Sequence, residues 1–224
     1  MFGARNPVFE SFDLLQRIVN YVPVLLSLSV HEWAHARVAY ALGDDTAERQ
    51  GRLTLNPIVH IDPIGTILPL MGFPFGWAKP VPVNASRFNA RMSMRSGMML
   101  TAAAGPLSNL ALALLAAVVL GLLRILAPEV LLNTRGVLPL FGQAILVNLA
   151  LAAFNFLPIF PLDGSRIVDG LVPRRLREGW QKIAAFSPLL LVLVIFGLPY
   201  LGIDLFGWVG AGAQLLFGLA LGSL

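Results

Sequence analysis

The chain has 224 residues, 57% of them hydrophobic and only 12% charged, with no cysteine and a formal net charge of +4. An ordinary soluble domain carries about 25% charged residues, so the composition excludes that class and points to a membrane protein. The missing cysteines exclude a disulfide framework and a thiolate metal site. No basic run is interleaved with stacking aromatics, so no nucleic-acid partner is expected; membrane proteins collect Lys and Arg in their cytoplasmic loops.

The first apolar segment runs from about Phe12 to Leu42 and stops at Gly43-Asp44-Asp45, a helix-ending signal. It is longer than a bilayer core requires and should tilt or protrude, and Pro23 should kink it. It lacks a basic start and a cleavage site, so no signal peptide is expected. From Thr46 to Asn84 the chain is dense in Pro and Gly. "GRLTLNP" alternates like a short strand, and "KPVPVN" reads as extended backbone at an edge, so a small membrane-associated β-structure is expected after the first span. The apolar piece from Ile64 to Phe75 is too short and broken to span and reads as re-entrant or interfacial. Further spans are expected at about Met98–Leu126, Val137–Pro161, Ile183–Leu201 and Leu205–Leu221. The fold expected is an all-α polytopic membrane protein of about five transmembrane helices, with four or six as alternatives, forming one membrane-embedded domain over residues 1–224.

Alternation of these spans puts residues 43–97 and 162–182 on one side with eleven Lys and Arg; the other side holds four, Arg5, Arg17, Arg124 and Arg135. The richer side is therefore cytoplasmic and the N-terminus lies outside.

The first span carries "SVHEWAHARVAY". Ionisable residues at membrane depth are costly and mark function. His31 and His35 are spaced i, i+4, so both imidazoles project from one helix face and can meet at one metal. Glu32 lies close enough to reach water there without being a ligand. A catalytic zinc takes three protein ligands and leaves one position open. With cysteine absent, the candidates for the third are Asp62, Asp163, Asp169 and the loop histidine His60. Asp163 stands out because it follows the broken helix end at Pro158 and Pro161, and broken backbone at membrane depth lines cavities or packs within protein. His60, with a hydrogen bond near Asp62 as its other reading, is the second choice. The His pair lies ~10–18 Å along the helix from Leu42, towards the side on which Asp163 falls.

H31-E-W-A-H35 together with N155-F-L-P-I-F-P-L-D163-G164 resembles the paired signature of the site-2 protease family of intramembrane zinc metalloproteases. "NPIVHIDPIGT", "GWAKPVPVN" and "AGPLSN" add to the likeness, which covers most of the chain from about 28 to 170. The resemblance implies that His31, His35 and Asp163 bind Zn2+, that Glu32 is the base, and that Asn155 helps to hold substrate or the developing oxyanion. Lys79 and Asn109 complete the substrate-side candidates. A snorkelling cation is the other reading of Lys79, and a hydrogen bond between spans that of Asn109. Gly105 permits close helix packing. The chain resembles a minimal form without the PDZ or CBS domain of many relatives, and no separate span is expected before the metal-binding helix.

The implied activity is hydrolysis of peptide bonds in or near transmembrane segments of membrane protein substrates. The implied setting is the lipid bilayer of a prokaryotic cell membrane, with the active site towards the cytoplasm. A metal transporter should carry ionisable residues in several spans, and the last two expected spans have almost none. A structural zinc site would need a fourth protein ligand, for which His60 is the one candidate. A serine peptidase would lack a base for Ser108 or Ser165 once the His pair serves a metal.

Overall fold

A computed structural model describes residues 7–71 and 76–223 and is mostly helical. Helix α1 (Pro7–Ala41) runs unbroken through Pro23. It ends at Gly43, whose φ of +107° lies in the left-handed region that favours glycine, and a Cβ there would meet Asn89 Oδ1 at 2.8 Å. Helix α2 (Pro63–Leu70) is capped by Asp62, whose Oδ1 accepts from the backbone N–H of Ile64 and Gly65. Helix α3 (Met94–Leu126) begins earlier than the hydrophobicity suggests because Ser93 Oγ accepts from Ser96 N. Helix α4 (Val137–Asn155) stops short of the expected Pro161, since Pro158 disfavours helical backbone ahead of it. Then come α5 (Asp163–Leu171), α6 (Arg177–Ala185), α7 (Ser187–Val192) and, after a π-helical turn, α8 (Gly207–Leu221).

Helix α1 packs against α3 and α4, and α3 also receives α5 and α8. Small residues line these contacts, among them Ala39, Ala102, Gly105, Ala113 and Ala152, so the backbones approach closely. The outward flank of α3 exposes Leu114, Leu115, Val118, Leu122, Ile125 and Leu126. A belt this apolar is a liability in water and is solvated by acyl chains in a bilayer.

One expectation needs revising, and a second is met in part. Among the described residues no sheet forms after α1; the β contact there is one antiparallel bridge between Ile61 and Ala78. Lys79 N–H donates to His60 O within that bridge; beyond it Pro80 and Pro82 have no N–H, and Val81 N and Asn84 N are spent on Glu32 and Asp44. "GRLTLNP" pairs with nothing as a strand because its residues serve local turns: Asn56 Oδ1 accepts from Ile58 N, and Thr54 O accepts from the His60 ring. Residues 72–75, the end of the supposed re-entrant piece, lie outside the described residues, as does Arg5.

The expectation met in part concerns the spans. Among the described residues α3 and α4 are long and apolar enough to cross a membrane, and a third span arises if Arg174–Ala185 and Ser187–Tyr200 count as one, bent by 57°. The expected fourth rod breaks at Ser187-Pro188, where proline cannot continue the hydrogen-bond ladder. Helix α8 has 15 residues, or ~22 Å, against a core of ~30 Å. Helix α1 has the length, and its polar motif dilutes its apolar character.

Candidate metal centre

The site forms where two helix faces mate. On α1, His31 and His35 stand one turn apart, their rings edge to face with centroids 4.6 Å apart. On the facing helix α3, Thr101, Gly105 and Asn109 recur every fourth residue and so share one stripe. The helices pair these residues in opposite order. The Nδ1–H of His31 donates to Asn109 Oδ1, and the Nδ1–H of His35 donates to the Thr101 carbonyl, both at 2.7 Å. Gly105 lies between the two pairs. A Cβ there would sit 2.5 Å from the Nε2 of each imidazole, so glycine alone leaves room for the rings.

Asp163 arrives from the other side, on the turn between α4 and α5. Two short backbone bonds tighten that turn, Ile159 N to Leu157 O and Leu162 N to Ile159 O, both 2.8 Å. Gly164 allows the turn to fold onto itself, because a Cβ would come within 2.2 Å of Phe156 O and 2.3 Å of Leu157 O. The result places Asp163 Oδ2 at 3.1 Å from His31 Nε2 and 3.2 Å from His35 Nε2.

This donor set fits a divalent cation. Both Nδ1 atoms donate, so in the neutral rings each Nε2 presents a lone pair, and both lone pairs meet a carboxylate oxygen. Three electron-rich atoms converging in a largely buried site repel one another unless a cation or protons stand among them. Two imidazoles and one carboxylate, with further positions left open, suit catalytic zinc. The ligand-type atoms of His31, Glu32 and His35 lie within 4.8 Å of one another. One carboxylate oxygen of Glu32 is tethered, Oε2 accepting the Val81 N–H at 2.8 Å.

A cavity of about 460 Å³ opens onto these groups, walled by Pro80 and Val81 on one side and by Leu151, Phe154 and Asn155 of α4 on the other. Asn155 Nδ2 donates one bond to Leu151 O. Asn109 is fully buried behind His31, away from the cavity wall. Lys79 is exposed and outside the cavity lining, although its neighbours Ala78 and Pro80 are part of it. The other candidates for third ligand are occupied elsewhere: His60 is buried against Thr54 O, Asp62 caps α2, and Asp169 pairs with Arg95 at 3.5 Å.

Sequence reasoning missed three participants. Arg166, one turn beyond Asp163, lines the cavity, and its i+3 spacing was an available signal. Thr101 was legible through its four-residue register with Gly105 and Asn109. The Val81 N–H had no signal for its grip on Glu32, since that contact joins residues 49 apart.

A profile of Peptidase family M50 matches residues 121–195, a stretch that includes Asn155 and Asp163. A Bacillus subtilis (strain 168) protein described as "Putative zinc metalloprotease YwhC" is 42% identical over 192 residues, covering 85% of each chain. The chain belongs to peptidase family M50. This M50 peptidase is also similar to Rip2 of Mycobacterium tuberculosis (strain H37Rv), described in the same terms, with 29% identity over 199 residues, 88% of this chain and 71% of Rip2. The Rip2 of Mycolicibacterium smegmatis is 36% identical over 108 residues, 45% of this chain and 38% of its own. No solved structure matches the M50 peptidase. It is a zinc metalloprotease of the site-2 protease family, and its apolar helices make it an integral membrane protein.

Proposed function

We propose that this M50 peptidase hydrolyses peptide bonds in or beside transmembrane segments of membrane proteins, with His31, His35 and Asp163 holding the zinc and Glu32 as the proton carrier. The carrying observation is that two imidazole lone pairs and the Asp163 carboxylate converge beside a cavity that Glu32 also faces. When bound, zinc supplies Lewis acidity, which activates water and polarises the scissile carbonyl. Glu32 accepts the proton of the attacking water and returns it to the leaving nitrogen. The Val81 N–H holds one carboxylate oxygen so that the base keeps its place beside the His pair. Asn155 has a second amide hydrogen beyond the one given to Leu151 O, and donates it to the substrate carbonyl as charge develops.

A helical substrate hides its carbonyls in its own ladder and must unwind locally before it can be cut. The extended wall from Ala78 to Val83 receives the unwound segment, with Lys79 at its exposed rim. The chain is multi-pass: α1 and α8 join α3, α4 and the bent C-terminal pair in the bilayer, and the eleven-to-four division of Lys and Arg turns the site towards the cytoplasm. Bacterial relatives support a prokaryotic cell membrane. The test uses protein reconstituted in liposomes with a single-span substrate. Chelation should stop cleavage, added zinc should restore it, and Asp163→Asn should lose both metal and activity. Cleavage that persists without metal would end the reading.

A further inference from the structure

The hydrogen bonds behind His31 form a directed chain. The Asn148 amide Nδ2 donates to Ala144 O on its own helix at 2.8 Å. A backbone carbonyl can only accept, so the orientation of this amide is fixed and its Oδ1 must face the other way. That oxygen accepts from Asn109 Nδ2 at 2.9 Å, and the same nitrogen reaches Ser27 O on α1 at 3.4 Å, again an obligate acceptor. Asn109 therefore cannot flip without setting its oxygen against two acceptors. Its Oδ1 is left to accept from His31 Nδ1 at 2.7 Å. Asn109 and Asn148 are both buried, where an unmade hydrogen bond is costly.

We propose that Asn109 and Asn148 are positioning residues that impose one tautomer on His31, with Nδ1 protonated and the Nε2 lone pair aimed at the metal position. The inference rests on the reading of His31 as a zinc ligand. His35 needs no such relay, because its Nδ1 partner is the Thr101 carbonyl, which fixes polarity directly. For His31 the same result takes three helices: α4 orients Asn148, α1 and Asn148 orient Asn109, and α3 carries Asn109 to the ring. An imidazole without this partner divides its proton between two nitrogens and must give up one tautomer on binding metal. Partners of this kind are typically worth about 10–100-fold in metal affinity.

The full chain contains only three histidines, so ¹⁵N-histidine labelling gives a sparse spectrum in which His31→Gln identifies the His31 signals. In metal-free protein with the ring neutral, two-bond ¹H–¹⁵N correlations should show His31 as the Nδ1–H tautomer alone. Asn109→Leu should give a tautomer mixture and weaken zinc binding about 10–100-fold. Asn148→Leu, which leaves the His31 contact in place, should produce a smaller loss and keeps the test open if Asn109→Leu does not fold. An unchanged tautomer and unchanged zinc Kd in Asn109→Leu and Asn148→Leu overturn the relay. A wild-type His31 Nε2 signal that zinc does not move overturns the ligand reading beneath it, whatever the tautomer.

Discussion

Glu32 and Gly105 constrain the same site in opposite ways, one by chemistry and one by volume. Glu32→Gln keeps the shape and an acceptor for the Val81 N–H but cannot carry a proton. We expect zinc content to match the parent protein while cleavage falls by about 10²–10⁴-fold, measured by metal analysis alongside proteolysis in liposomes. Gly105→Ala brings a methyl within 2.5 Å of both Nε2 atoms. The rings must turn away, so zinc and activity should be lost together while circular dichroism stays that of a folded helical protein. Zinc retained in Gly105→Ala would show that the imidazoles do not converge beside α3. The His pair was legible in the sequence because two ligands one helical turn apart share a face whatever the rest of the fold does. The roles of Asn109 and Lys79 were less so: each was a polar residue in a motif, and only packing buries one behind His31 and leaves the other at the rim.

Local geometry at the level of elements decides how the groups are held. The segment after α1 was expected as a β-structure, and its prolines are why it stops at one bridge: they remove donors a longer ladder needs, while the N–H groups of Val81 and Asn84 go to Glu32 and Asp44. A hydrogen bond to a charged group contributes about 1.5–3 kcal/mol. Val81→Pro, which deletes the donor to Glu32, should therefore lower kcat by about 10-fold or more with zinc content unchanged, whereas Val81→Ala should stay near the parent. Equal effects of the two would assign Val81 a packing role alone. On the opposite wall, Gly164→Ala places a Cβ on the carbonyls of Phe156 and Leu157. The turn must open, withdrawing Asp163, so zinc should be released with little change in helicity.

The absence of cysteine makes the topology of the whole molecule open to direct measurement. Single cysteines at Arg87 and Arg135, in otherwise unaltered chains, should react with a membrane-impermeant maleimide from opposite sides of an oriented membrane, Arg87→Cys from the cytoplasmic side. Labelling of both from one side would reverse the charge argument for where the site faces. The number of crossings depends on the same scale. Helices α3 and α4 meet the length of a bilayer core by themselves, whereas α8 and the bent C-terminal pair depend on their neighbours and on local bilayer thickness.

The sequence by itself determined the membrane character, the pairing of two imidazoles on one helix, the acid beside them and the break before Asp163. These follow from composition and from spacings of a few residues, which backbone geometry converts into position without reference to the rest of the chain. Only the tertiary structure decided which carboxylate meets the two imidazoles, that α3 runs past α1 with Thr101 and Asn109 behind the rings, and that Val81 holds Glu32. Those contacts join residues 49 to 132 apart, where no periodicity reaches and only the packing of helices brings partners together.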